Sequence, residues 1–131
     1  MRWGGPFDPN ADAIYVIASI SGGHGYRRKI RCLVDTGTKL TVIDESITAS
    51  IGLDRTKAKG KVTFDSLSEA VEGYWLRAPQ FEAYGRTLES FEVACCPMNT
   101  RLKIDGLIGL DFFRRLEACF NFKSGVVHLE D

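Results

Sequence analysis

Long apolar runs are missing from this 131-residue chain. Even the stretch from Ile14 to Ile20 is far shorter than the ~20 residues a bilayer-spanning helix requires, so no membrane partner is expected. Net charge is missing as well. Seventeen basic residues balance seventeen acidic ones, and no run of cations exceeds Arg27-Arg28-Lys29, which leaves nucleic-acid binding without electrostatic support. Cysteine is sparse. Cys32, Cys95, Cys96 and Cys119 have neither the density of a disulfide framework nor the spacing of metal knuckles, and read as reduced packing residues. On a strand, Cys95 and Cys96 point to opposite faces and cannot easily share an ion, so no metal or cofactor is expected. The opening Met1-Arg2-Trp3-Gly4-Gly5-Pro6 lacks the uninterrupted apolar core of a secretory signal, which makes a cytoplasmic location the expectation.

What the chain does contain is enough to fold. Apolar residues make up 44% and charged residues 26%, the balance of an ordinary soluble domain of this length rather than of a disordered chain. Ile14, Val16, Ala18 and Ile20 alternate with the period of a strand, and Gly22 to Gly25 supply a turn. The return from Tyr26 to Val34 carries Ile30, Cys32 and Val34 on one face and ends at Asp35. A short helix is predicted from Asp44 to Ile51, capped by Asp44 and stopped by Gly52. Lys61 to Phe64 and Ala70 to Ala78 flank the polar tip 65–69 as one hairpin, and 81–84 with 87–96 form a second. Leu110, Phe113 and Leu116 mark a helix of about two turns over 110–117, after a short strand at 104–109. Phe120 to Phe122 and Val126 to Leu129 close the chain as a last hairpin. Strands dominate, so the fold class is all-β, a barrel or sandwich with one or two short helices. Residues 1–11 read as an N-terminal arm, and 12–131 as the single domain.

One acidic residue stands out. In Leu33-Val34-Asp35-Thr36-Gly37-Thr38, a carboxylate directly follows two strand positions expected to be buried, where an unpaired charge is costly. The plain alternative is an Asp that opens a turn and caps nearby amides. Asp-Thr-Gly alone arises by chance in roughly a few per cent of chains this long. A second element, Leu107-Ile108-Gly109, lies some seventy positions later and leads into a helix.

Together these two elements resemble the aspartic peptidase superfamily, in which an apolar-apolar-Asp-Thr-Gly loop threads beneath an apolar-apolar-Gly strand. The run Ile104-Asp105-Gly106-Leu107-Ile108-Gly109-Leu110-Asp111-Phe112-Phe113 and the ending Asn121 to Leu129 are similar to the C-terminal half of its single-lobe, retropepsin-like members. The likeness covers about Ala13 to Leu129. It implies a closed barrel of one lobe with a flap hairpin, and an aspartic endopeptidase that acts as a homodimer on peptide or protein substrates. Bilobal relatives carry two such aspartates in more than twice this length; here the second must come from a second copy. The resemblance makes Asp35 the water-activating carboxylate, Thr36 a residue reaching across the dimer axis, and Gly37 the point of close backbone approach. Gly109 is the glycine under the loop.

Substrate-lining roles fall by the same resemblance on Thr38, Lys39, Val42, Leu107 and Ile108, and on Ser66, Leu67 and Ser68 at the tip of the flap, Val62 to Trp75, which lacks the usual tip glycine. Thr38 replaces the retroviral alanine. Its hydroxyl is expected to donate to Asp35, so a Thr38→Ala variant is expected to work at less acidic pH. Lys39 stands where retroviral enzymes often have an acidic residue, which biases the subsites toward acidic peptides; a solvated loop-edge lysine, with or without Asp111 as ion-pair partner, is the plainer reading. His24 and His128 are assigned no role. A catalytically silent dimerisation or peptide-binding module is the competing function, since fold does not fix activity. The string from Asp35 to Thr41 also brushes the P-type ATPase phosphorylation motif, but its lysine is displaced and the membrane spans are absent.

Overall fold

In a computed structural model, residues 1–65, 70–98 and 103–131 are described. Arg2–Pro6, within the expected arm, is a strand, β1. Tyr15–Ser21 (β2) and Arg27–Val34 (β3) form the first hairpin, in register from Tyr15 opposite Leu33 to Ser21 opposite Arg27. Their alternation buries Ala18, Ile20, Ile30 and Cys32 on one face.

Val42–Asp44 (β4) runs straight into the helix Glu45–Ser50 (α1). The Asp44 carboxylate accepts from the Ser46 amide at 3.3 Å, and Gly52 takes a φ of +82° after the helix, so both expected ends are in place. Gly60–Asp65 (β5), Ala70–Ala83 (β6) and Arg86–Cys96 (β7) form a meander. Gly106–Ile108 (β8) and the single turn Leu110–Phe113 (α2) follow, and Glu117–Asn121 (β9) and Val126–Glu130 (β10) close the chain.

Two sheets result. The larger has the order β2-β3-β8-β4-β7-β6-β5, and an additional β2–β6 pairing returns it on itself; the smaller has the order β1-β10-β9. Between them lies a core that includes Phe81, Phe112, Leu76, Ile43 and Ile108, all almost fully buried. Phe112 is wholly buried within it. It packs edge-on against Phe81 and Phe113 at centroid distances of 6.1 and 5.2 Å, while its carbonyl accepts from Arg86.

Besides the arm, three elements differ from the sequence expectation. The strands expected at 70–78 and 81–84 are one 14-residue strand, β6. Pro79 does not break it because the 79/90 position drops out of the ladder between Ala78–Phe91 and Gln80–Glu89, with Ser90 at a φ of +50°. The two-turn helix at 110–117 is one turn, ended by Arg115 at a φ of +67°, and β9 begins at Glu117 instead. The short Val42–Asp44 run, too brief to register as a strand, bridges β7 in parallel and β8 antiparallel.

Candidate active site

The parallel pairing of β3 with β8 sets Val34 opposite Ile108, and the Asp35 amide donates to the Ile108 carbonyl at 2.9 Å. Asp35 is thereby fixed as the first residue off the sheet. Its half-buried carboxylate is held at both oxygens. The Gly37 amide donates to Oδ1 at 3.0 Å, and the Thr38 hydroxyl donates to Oδ2 at 2.8 Å, the bond that the sequence suggested.

The far side of the loop is clamped by the start of α2. The Leu110 amide donates to the Thr38 carbonyl at 2.8 Å, and the Asp111 amide to the Lys39 carbonyl at 3.2 Å. Thr41, wholly buried, anchors a polar relay. The Gly109 amide donates to Thr41 Oγ1 at 3.2 Å, and that hydroxyl donates to Asp111 Oδ1 at 2.7 Å. The Thr41 amide donates to Asp111 Oδ2 at 2.9 Å. Burial pushes the Asp111 carboxyl above its ordinary value despite these bonds, which favour the ionised form. Gly109 lies so close beneath the loop that a Cβ there would stand 2.6 Å from the Leu40 carbonyl oxygen and 2.7 Å from that of Thr38.

Beside the loop opens a cleft of about 580 Å³. Gly37, Thr38, Lys39, Val42 and Leu107 line it, as do Phe64 and Val71 of the β5–β6 hairpin. The expected lining residues Thr38, Lys39, Val42 and Leu107 therefore meet at one place. Ile108 does not join them. Strand alternation turns it from Leu107's face into the core, fully buried, and only its carbonyl serves the loop. Ser66, Leu67 and Ser68 fall outside the described residues. Lys39 makes no ion pair with Asp111, whose oxygens are taken by Thr41. Thr36 is exposed.

Sequence reasoning missed Phe64, Val71, Cys96 and Met98 as cleft residues. The alternation of Val62 and Phe64 in β5 was a usable signal for Phe64. Cys96 was read as a packing thiol, and it is one: burial pushes it up, with Asp44 and Glu45 adding to the effect.

The family described as aspartyl protease matches residues 16–112, a span that holds Asp35, Gly109 and Asp111. This chain belongs to that family. A solved structure of a retropepsin-like aspartic protease from Rickettsia conorii superposes with a TM-score of 0.72 at 16% identity, covering 98% of this chain and 91% of that one. The chain thus has the retropepsin-like, all-β fold. No curated protein matches it. In this aspartyl protease chain the loop holds one carboxylate by neutral donors, next to residues that line a largely apolar cleft. A single carboxylate cannot serve at once as general base toward a water and as general acid toward a carbonyl.

Proposed function

We propose that this chain is an aspartic endopeptidase that works as a homodimer, with Asp35 of each copy supplying half of a catalytic pair. The observation that carries this reading is the loop itself: one carboxylate, oriented through both oxygens by Gly37 and Thr38, two residues that also line a cleft. Two such carboxylates across a two-fold axis share one proton, because like charges about 3 Å apart do not both ionise. The ionised one takes a proton from a water, whose oxygen attacks the peptide carbonyl carbon. The protonated one gives its proton to the carbonyl oxygen, forming a neutral tetrahedral diol. Transfer of a proton to the amide nitrogen then lets the C–N bond break, leaving an acid and an amine. Peptide enters extended, under the β5–β6 hairpin as flap.

The terminal sheet offers a surface for the second copy. Its outer strand β1 is blunted: the Gly4 amide donates to the Tyr84 carbonyl, and Pro6 has no N–H. The opposite edge, β9, is open, with Glu117, Ala118, Cys119 and Asn121 all exposed. Antiparallel pairing of β9 with its twin is isologous, as a dimer with its site on the axis requires. Exposed Thr36 is free to meet the partner loop.

The test is cleavage of an unfolded protein at mildly acidic pH by the wild type and by Asp35→Asn, with sedimentation of both. Cleavage by a dimer, lost in the variant, supports the reading. Dimers that bind peptide yet are equally inert with and without Asp35 make the chain a silent binding module.

A further inference from the structure

The cleft beside Asp35 has walls of two characters, and together they describe a ligand. Much of its lining is apolar: Val42 and Leu107 come from the sheet, Phe64 and Val71 from the hairpin, and Met98 from the segment after β7. With Leu40, these side chains pack as a cluster of their own, separate from the main core. A charged side chain pushed among them loses its hydration and finds no counter-charge. An apolar one gains by burial.

The only formally charged side chain that lines the cleft among the described residues is Lys39. Its backbone is fixed, since its carbonyl accepts from the Asp111 amide at 3.2 Å, while its side chain is exposed. Asp111, whose amide makes that bond, has both carboxylate oxygens bound by Thr41. No ion pair among the described residues involves Lys39. The ammonium is therefore solvated at the rim and available to a carboxylate brought in with a ligand.

We infer that the cleft takes peptides carrying a large apolar residue as anchor and an Asp or Glu close to it in sequence, with the carboxylate paired to Lys39. In an extended peptide, residues two apart share a face, so one segment presents both groups to the same cleft. The inference rests on the peptidase reading of Asp35 for cleavage, but not for binding. An exposed pair of this kind discriminates by up to about fivefold and fades as salt screens it.

Two measurements keep the two readings apart. The first is kcat/KM for peptide pairs that share a Leu or Phe anchor and differ by Glu against Gln near it. Wild type, Lys39→Ala and Lys39→Glu are compared at low and high salt. The second is binding of the same peptides to Asp35→Asn protein, with and without Lys39→Glu, by fluorescence anisotropy. The expected result is a Glu-to-Gln ratio of about two to five in wild type. It falls to near one in Lys39→Ala and at high salt, and drops below one in Lys39→Glu. Binding that shows this pattern without any cleavage supports the inference while removing the peptidase reading. Cleavage with a ratio near one in wild type, or a ratio that Lys39→Glu leaves unchanged, overturns the inference and leaves the peptidase reading standing.

Discussion

A single methyl group at Gly109 tests how the Asp35 loop is held. The residue's φ of −96° and ψ of −172° are open to any amino acid, so the effect of Gly109→Ala is steric and not conformational. The added Cβ would lie 2.6 Å from the Leu40 carbonyl oxygen, 2.7 Å from its carbon and 2.7 Å from the Thr38 carbonyl oxygen, where ordinary contact begins at 3.4 Å. All three are backbone atoms, so no side chain can swing aside. The loop and the β8–α2 junction must separate by about 0.7 Å or more, and overpacking of that kind costs about 1–3 kcal/mol. The bonds from Gly109 to Thr41 and from Leu110 to Thr38 stretch with it. Since a displacement of about 1 Å at reacting groups costs roughly a hundredfold in rate, kcat/KM is expected to fall by about that factor. Peptide cleavage gives the rate, and urea unfolding at fixed protomer concentration gives the stability. A Gly109→Ala protein within threefold of wild-type kcat/KM and within about 0.5 kcal/mol of its stability refutes the idea that this junction buttresses the loop.

Other residues around the loop give sharper, smaller effects. Thr41→Val keeps the packing but strips the hydroxyl that accepts from Gly109 and donates to Asp111, and is expected to cost about 2 kcal/mol in urea unfolding; a loss under about 0.3 kcal/mol contradicts the relay. Asp111→Asn tests its pH consequence. Burial raises this carboxyl in the folded chain above its ordinary 3.8, so its stabilising contribution is complete below that value and is lost as pH rises through the folded-state value. Wild type therefore loses stability relative to Asp111→Asn as pH climbs from about 3 to 7, visible as converging or crossing Tm curves; a constant Tm difference contradicts it. Thr38→Ala frees one oxygen of Asp35 and is expected to lower kcat about tenfold, with Thr38→Ser restoring most of it. Equal activity in all three proteins removes Thr38 from the positioning of the carboxylate.

Local chemistry was the legible part of this sequence. The Thr38–Asp35 bond spans three residues, and the Asp44 cap and Gly52 stop are decided within one helix, so residue types alone foretold them. Ile108 was misplaced for a reason also present in the sequence: adjacent strand residues face opposite ways, and Leu107 and Ile108 cannot both line one cleft. The Thr41–Asp111 pair joins positions 70 apart, and no periodicity reports such a contact. The gap expected between 70–78 and 81–84 is absorbed by the paired strands at a skipped ladder position. The one-turn α2 reflects tertiary demand overriding a helical pattern, with Phe112 and Phe113 buried and the chain needed at once as edge strand β9. Arg2–Pro6 reads as an arm because its Gly-Gly-Pro composition carries little strand propensity; its pairing with β10 supplies what the sequence does not.

The account stands on one carboxylate from each of two copies acting together. The most direct measurement is the peptidase activity of wild-type protein mixed and exchanged with increasing Asp35→Asn protein at constant total concentration. If only dimers with two intact carboxylates cleave, activity follows the square of the wild-type fraction and falls to about a quarter in an equal mixture. A straight-line decline to half means that each copy works alone, and contradicts the paired site.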